Sequence, residues 1–242
     1  MPLHFTDANA LADDVIGRVG RRIVLALPLG LGKANLIANA LYARAAADPS
    51  LSLKIFTALT LEKPRYANPL QRRFLEPVIE RLFGGWPELS YAHALRKHTL
   101  PPNIEVNEFF FLAGQWLNVP EAQQGYISTN YTHAVRAVMA QGINVIGQLV
   151  AKRERAGETR YSVSSNTDLT VELLKIRAEG GADFLMLGEV NDELPFMSGA
   201  ADQPAGAFHA VLDGPATKYP LFAPPKEPID LPEYAIGIHV AR

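Results

Sequence analysis

Short apolar runs alternate along this chain with longer stretches whose apolar residues recur at helical spacing. Ile23-Val24-Leu25-Ala26-Leu27 is unbroken by a polar residue, the pattern of a strand covered on both faces. It predicts a strand over 22–27, followed by a helix over 34–47 and a strand over 52–58. The same alternation returns after Pro120, with a helix over 131–141 that ends at Gly142 and a strand over 143–150. Lys152 to Glu158 reads as a charged turn, and Arg160 to Val163 as a returning strand. A helix over 167–178 stopped by Gly180-Gly181, a strand over 183–190, an apolar stretch from Phe208 to Leu212 and a proline-rich loop from Pro215 to Pro232 complete the series. Strands separated by helices predict an α/β fold with a mostly parallel sheet flanked by helices.

Residues 60–118 break that rhythm. Leu70 to Phe83 has helical spacing, with Pro77 marking a kink or a boundary and Gly84-Gly85 a stop. A second helix is predicted over Leu89–Lys97, before Pro101-Pro102, and a third over Glu108–Trp116 with Asn107 as its cap. The stretch reads as a helical insertion, in the role of a lid or an interface. At the C-terminus, apolar residues at 235, 236, 238 and 240 predict that a buried element has just begun. Arg242 then reads as a cut; a terminal segment docked on the domain is the other reading.

Composition narrows the classes. The chain has 242 residues and is 48% hydrophobic, enough for a large core in one domain or one and a half. Its net charge of −2, with no basic stripe, argues against a nucleic-acid partner. The lack of cysteine excludes disulfides, thiolate metal sites and a cysteine nucleophile, and fits a cytoplasmic protein. Met1 to Asn9 lacks the basic-then-apolar pattern of a signal peptide, and the apolar runs are far short of a membrane span.

The first chemical candidate is the loop Pro28-Leu29-Gly30-Leu31-Gly32-Lys33 between strand and helix. Glycines there let a ligand approach bare backbone, and the helix aims unpaired N–H groups at it, which suits an anionic or carbonyl-bearing small molecule. A phosphate-binding P-loop would need glycine at Leu27 and Ser or Thr at Ala34; a dinucleotide fingerprint would need glycine at Asn35 and an acid ending the next strand. Neither pattern is met, and a tight turn without ligand is the bland alternative. The six histidines, His4, His93, His98, His133, His209 and His239, have no metal-binding spacing, and no serine sits in a nucleophile elbow.

A second candidate follows the strand over 183–190, on the sheet edge where open α/β folds bind ligands. There Asn191 offers donors and an acceptor, while Glu189 or Glu193 would serve as base or nucleophile if desolvated; a strand-capping turn is the alternative. A third is Ser128-Thr129-Asn130, which either caps the following helix or binds a ligand.

Taken in order, several stretches resemble one family. They are Leu27-Pro28-Leu29-Gly30-Leu31-Gly32-Lys33-Ala34-Asn35, Thr57-Ala58-Leu59-Thr60-Leu61, Ser128-Thr129-Asn130-Tyr131-Thr132, Asn144 to Val150, Ser164 to Thr170, and Gly188-Glu189-Val190-Asn191 with Leu194-Pro195. The set is similar to the N-terminal half of the acetyl-CoA hydrolase/transferase family, class I CoA-transferases that include 4-hydroxybutyrate CoA-transferase. The similarity runs from about residue 20 to 242. It implies a CoA-transferase or sugar-phosphate isomerase-like fold in which residues 1–242 are the N-terminal α/β domain, with the insertion at about 60–118 and the C-terminal catalytic half absent.

The implied chemistry acts on short-chain acyl-CoA in acetate metabolism, through a glutamyl anhydride and a glutamyl-CoA thioester. The nucleophilic glutamate belongs to the C-terminal half, so no catalytic residue is assigned here. Gly30, Gly32, Lys33, Asn130 and Asn191 are the expected contacts to substrate or coenzyme A, and no metal is expected. Coenzyme A is a substrate and not a resident cofactor. The expected partners are acyl-CoA, a carboxylate or water, the C-terminal half and a second copy in a homo-oligomer, with neither nucleic acid nor membrane. Two departures stand out: residues 152–160 are short and charged, and Glu189 occupies a position where glutamine is common. A sugar-phosphate isomerase-like enzyme using Glu189 or Glu193, and a non-catalytic CoA-binding module, are the competing readings.

Overall fold

The computed structural model describes residues 1–222 and 228–241. Residues 223–227 of the expected proline-rich loop, and Arg242, lie outside the described residues. The chain begins with strand β1 (Leu3–Phe5) and helix α1 (Ala8–Val19), both ahead of the first predicted strand. Asp7 caps α1 by accepting a hydrogen bond from the Asn9 amide. Then come β2 (Arg22–Leu29), α2 (Asn35–Ala47) and β3 (Ser52–Ala58), close to their expected bounds. Helix α3 (Pro69–Phe83) runs through Pro77, and α4 (Ser90–Arg96) follows it.

The next element corrects the sequence reading. Residues Ile104–Glu108 form strand β4, and no helix covers Glu108 to Trp116. Asn107 lies within the strand instead of capping a helix. Ile104 and Val106 point to one face and are buried there, a period of two that the proline and aromatic residues around them mask in the sequence. The supposed insertion therefore carries an edge strand of the main sheet. After it come α5 (Pro120–Gln124), α6 (Tyr131–Ala140), β5 (Val145–Arg155), β6 (Glu158–Ser162), α7 (Thr170–Ala178), β7 (Leu185–Val190), β8 (Asp202–Pro204), β9 (Ala210–Leu212) and α8 (Leu231–Val240).

Seven strands form a parallel run in the order β1-β9-β7-β5-β2-β3-β4, and the fold is α/β with a mostly parallel sheet flanked by helices. Strand β5 overshoots the sheet and turns back antiparallel as β6, which pairs with β8. The expected seven-residue turn shrinks to Ala156-Gly157, with φ of 51° and 79°. Two left-handed residues in succession match the right-handed twist of a hairpin.

The two faces of the sheet hold two cores. Ile23, Leu25 and Leu27 of β2 face Leu11 of α1, Ile37 and Leu41 of α2, and Leu95 of α4. Val24 and Ala26 face Val135 and Val138 of α6 and Leu173 of α7. Strand side chains alternate, so a strand between two helical layers must be apolar at every position. Helix α8 differs from expectation. Its Leu231, Tyr234, Ile236, Ile238 and Val240 are all exposed, and it has no buried residue.

Candidate functional site

The glycine loop closes β2 through a bulge. Ala26 pairs with Phe56 but Leu29 pairs with Ala58, so β2 carries one extra residue beside Pro28. Gly30 takes φ of +61°, which glycine reaches without strain. Gly32 does give bare backbone for a close approach, but a side chain of the same protein occupies it. A methyl group on Gly32 would fall on the Asn166 side-chain carbonyl. The Asn166 amide in turn donates to Leu29 O at 3.1 Å. The helix N-terminus is also taken: the amides of Leu36 and Ile37 donate to Glu189 Oε2 at 2.9 and 3.2 Å. The sequence-based picture of N–H groups open to a ligand is thus corrected at α2, because a buried carboxyl fills that position.

Lys33 turns inward and is 1% exposed. Its Nζ donates to Ala58 O at 2.5 Å and to Leu59 O at 3.1 Å. Desolvation pulls its pKa down to about 7, against the attraction of Glu108. Glu108, at the end of β4, is buried too, and desolvation raises its carboxyl against the pull of Lys33 and the Thr60 hydrogen bonds. The Thr60 hydroxyl donates to Glu108 Oε1 at 2.5 Å, and the Thr60 amide donates to Oε2 at 3.2 Å. Tyr91 OH lies 2.8 Å from the same hydroxyl. Between the acceptors of Lys33 and the donors of Thr60 sits Leu59, a non-glycine residue at φ of +45°.

This corner lies beyond the C-terminal ends of β2, β3 and β4 and leads to the surface. A depression of about 400 Å³ is lined by Thr60, Glu62, Lys63, Arg65, Arg96 and Gln115, among others. A neighbouring one of about 370 Å³ shares Glu62 and Arg65 and adds Glu88 and His93. Arg96 grips Glu62 with bonds of 2.6 to 3.2 Å, and its guanidinium lies 4.3 Å from the centre of the Trp116 ring. Arg65 reaches the same carboxylate at 3.0 Å. Burial opposes ionisation of Glu62, but the Arg96 bonds outweigh it and hold the carboxyl below its ordinary value. The Gln115 amide ties Thr60 O to Glu62 Oε2 at 2.6 and 3.3 Å. One glutamate beside Lys63, Arg65 and Arg96 leaves the mouth with a cationic excess, suited to an anionic ligand.

The second predicted stretch is built differently. Glu189 is fully buried and accepts a 2.6 Å bond from Tyr219 OH in addition to the two α2 amides. Desolvation raises its pKa to about 7, more than these three donors lower it. Asn191 is equally buried. Its amide donates to Thr217 O and Tyr219 O at 2.8 and 2.9 Å, and its carbonyl accepts from the Glu193 amide at 3.0 Å. Both donors are committed to holding the 217–219 turn. Glu193 is exposed and accepts from the Leu221 amide. Asn130 occupies the N-cap of α6 without a side-chain cap bond, and its carbonyl accepts from Thr132 Oγ1 at 2.7 Å. It shares no hydrogen bond with Gly30, Lys33 or Asn191.

Sequence reasoning found Lys33 but not the groups that face it. Glu108 and Thr60 stand 48 residues apart, and Tyr91 lies on a helix between them. A strand pattern at Ile104 and Val106 was the available signal, since it would have put Glu108 on the sheet edge. Among the described residues there is no cluster of three His, Asp or Glu able to hold a metal ion. None of the helices among them is long and apolar enough to cross a membrane.

No protein-family model matches the chain, and no curated protein matches its sequence. Among solved structures, RipA from Yersinia pestis aligns with a TM-score of 0.60 at 16% identity, over 97% of this chain and 49% of RipA. An E249A mutant of RipA gives 0.61 at 17% identity, over 97% of this chain and 48% of that one. A 4-hydroxybutyrate CoA-transferase from Porphyromonas gingivalis reaches 0.43 at 12% identity, over 85% of this chain and 38% of that one. The RipA likeness defines the fold class: an α/β domain with this strand arrangement. The chain spans about half the length of the RipA chains it matches.

Proposed function

We propose that this chain is the N-terminal α/β domain of an acyl-CoA hydrolase or CoA-transferase, and that the nucleophile lies in a C-terminal half. The observation that carries this reading is the extent of the structural match, nearly all of this chain against one half of a larger protein. The ordered motifs from Leu27 to Pro195 support it, as does a cationic mouth at the sheet edge where such folds bind ligands. In this mechanism a glutamate carboxylate attacks the thioester carbonyl and expels CoA thiolate, leaving an acyl-glutamyl anhydride. The thiolate then attacks the glutamyl carbonyl, releasing the carboxylate and forming a glutamyl-CoA thioester. A carboxylate acceptor reverses both steps, or water ends them. The mouth around Thr60, Lys63 and Arg65 supplies charge and position to an anionic thioester. Gly32 and Asn191 are engaged within the protein, so the contribution shifts from the glycine loop to residues 59–65.

The isomerase-like alternative loses its main support, because Glu189 is enclosed by an amide pair and Tyr219, and Glu193 caps a loop. Thiol release from acetyl-CoA, with and without a carboxylate acceptor, tests the proposal. Residues 1–242 are compared with a chain extended through the coding sequence beyond Arg242. Release by the extended chain alone is expected. Release by residues 1–242 alone overturns the half-enzyme reading, and CoA binding without release in both chains favours a binding module.

A further inference from the structure

Lys33 was a candidate ligand for an anionic substrate group, yet its ammonium is enclosed and spends its protons on two successive carbonyls, Ala58 O and Leu59 O. Glu108 takes the hydroxyl and the amide of the next residue, Thr60. Opposite charges thus hold the two sides of a single peptide corner. At its centre Leu59 adopts φ of +45°, a conformation that a γ-branched L-residue keeps only when its surroundings fix it. The fixing is complete on the backbone, since the Leu59 amide also donates to Phe110 O at 2.8 Å. Gly30, itself left-handed at φ of +61°, lies beside this corner: a methyl group added to it would meet the side chains of Leu59 and Leu61 at 3.9 Å. What the corner aims is the segment Leu61-Glu62-Lys63, which lines the mouth.

We propose that Lys33 and Glu108 are positioning residues that clamp Leu59 in its left-handed conformation and so set the shape of the substrate mouth, without touching the substrate. The inference rests on the reading of that mouth as an acyl-CoA site. It replaces a direct Lys33–phosphate contact with an internal one. It also explains why a strained leucine stands where glycine would relax the chain: a fixed corner presents Glu62 and its two arginines in one arrangement.

The test uses K33M, E108Q, L59G and the double variant K33M/L59G, in the chain that releases thiol. Each is assayed with acetyl-CoA and with S-acetylpantetheine, which carries no phosphate, and by hydrogen–deuterium exchange over residues 57–63. K33M is expected to lower turnover by about 100-fold, the effect of a misplacement of about 1 Å, with the same factor on both substrates. Exchange at 59–63 should rise together with it. Glycine holds positive φ without a clamp, so L59G should restore a large part of the loss in the K33M background. A K33M defect seen with acetyl-CoA but absent with S-acetylpantetheine overturns the proposal and makes Lys33 a phosphate ligand. Unchanged turnover and exchange in K33M and E108Q also overturn it. If K33M does not fold, the volume-preserving E108Q decides by the same readouts. Absence of thiol release from the wild type defeats the acyl-CoA reading, while the exchange data still decide whether the clamp exists.

Discussion

Glu108 and Glu189 are both buried carboxyls at the C-terminal edge of one sheet, but they are satisfied in different ways. Glu189 receives three neutral donors, two from a helix N-terminus and one from Tyr219, and among the described residues no cation pairs with it. Its proton therefore stays on to about pH 7, and the group acts as a plug between α2 and β7. Glu108 shares its corner with the charge of Lys33 and bonds to a strained loop that reaches the surface. The helix N-terminus gave the first carboxyl a sealed structural role. The lysine gave the second a place beside the opening. Burial of an acid alone does not mark a catalytic group; what its partners are attached to is the better guide.

Removing each carboxyl separates the two most strongly. E189A strands two helix amides and a tyrosine hydroxyl in the core, and should cost about 3–5 kcal/mol of stability in denaturant titration. E108A should cost less, about 2 kcal/mol, because Lys33 can shed its proton once its counter-charge is gone. An equal loss in both variants would erase the distinction between plug and clamp.

The pH dependence sharpens it. Glu189 has a native pKa of about 7 against an ordinary value of 4.5. Between those values the native state holds a proton that the unfolded chain has released, so stability falls as pH rises through that window. The loss amounts to about 3 kcal/mol at pH 8 relative to pH 4.5. E189Q keeps an acceptor for the α2 amides and has no proton to lose. Its stability relative to the wild type should therefore rise by about 3 kcal/mol from pH 4.5 to pH 8 in parallel urea titrations. A pH-independent difference would show that Glu189 is ionised throughout.

Smaller effects are expected away from the carboxyls. G32A forces Asn166 off its bond to Leu29 O and should cost about 1–3 kcal/mol, with part of that loss recovered in G32A/N166A. If a ligand and not Asn166 owned that backbone, the two substitutions would be additive. F74S, on the exposed side of α3, should change stability by no more than about 0.5 kcal/mol by thermal melting.

Much of this was legible in the residues. Ile23 to Leu27 announced a central strand, and the regular spacing after Pro120 announced the parallel sheet, because burial on one or two faces writes a period into the sequence. Gly30 and Lys33 were singled out because glycines before a helix and a lone cation are local signals. The strand at Ile104–Glu108 was not legible, since five residues give too few periods to outweigh neighbouring aromatics and a cap-like asparagine. Short β1 was missed for the same reason.

The sequence by itself determined the class of fold, the order of its main elements and the glycine loop, all of which follow from local periodicity and turn chemistry. Only the tertiary structure decided what each polar group faces. It sent Glu189 to the start of a helix 153 residues earlier and brought Lys33 to the carbonyls of residues 58 and 59. It also put Glu108 against Thr60. Those pairings have no period and no fixed spacing. They arise when parallel strands are laid side by side, and the cost of leaving a buried charge or amide unpaired selects the partner that the sheet happens to bring near.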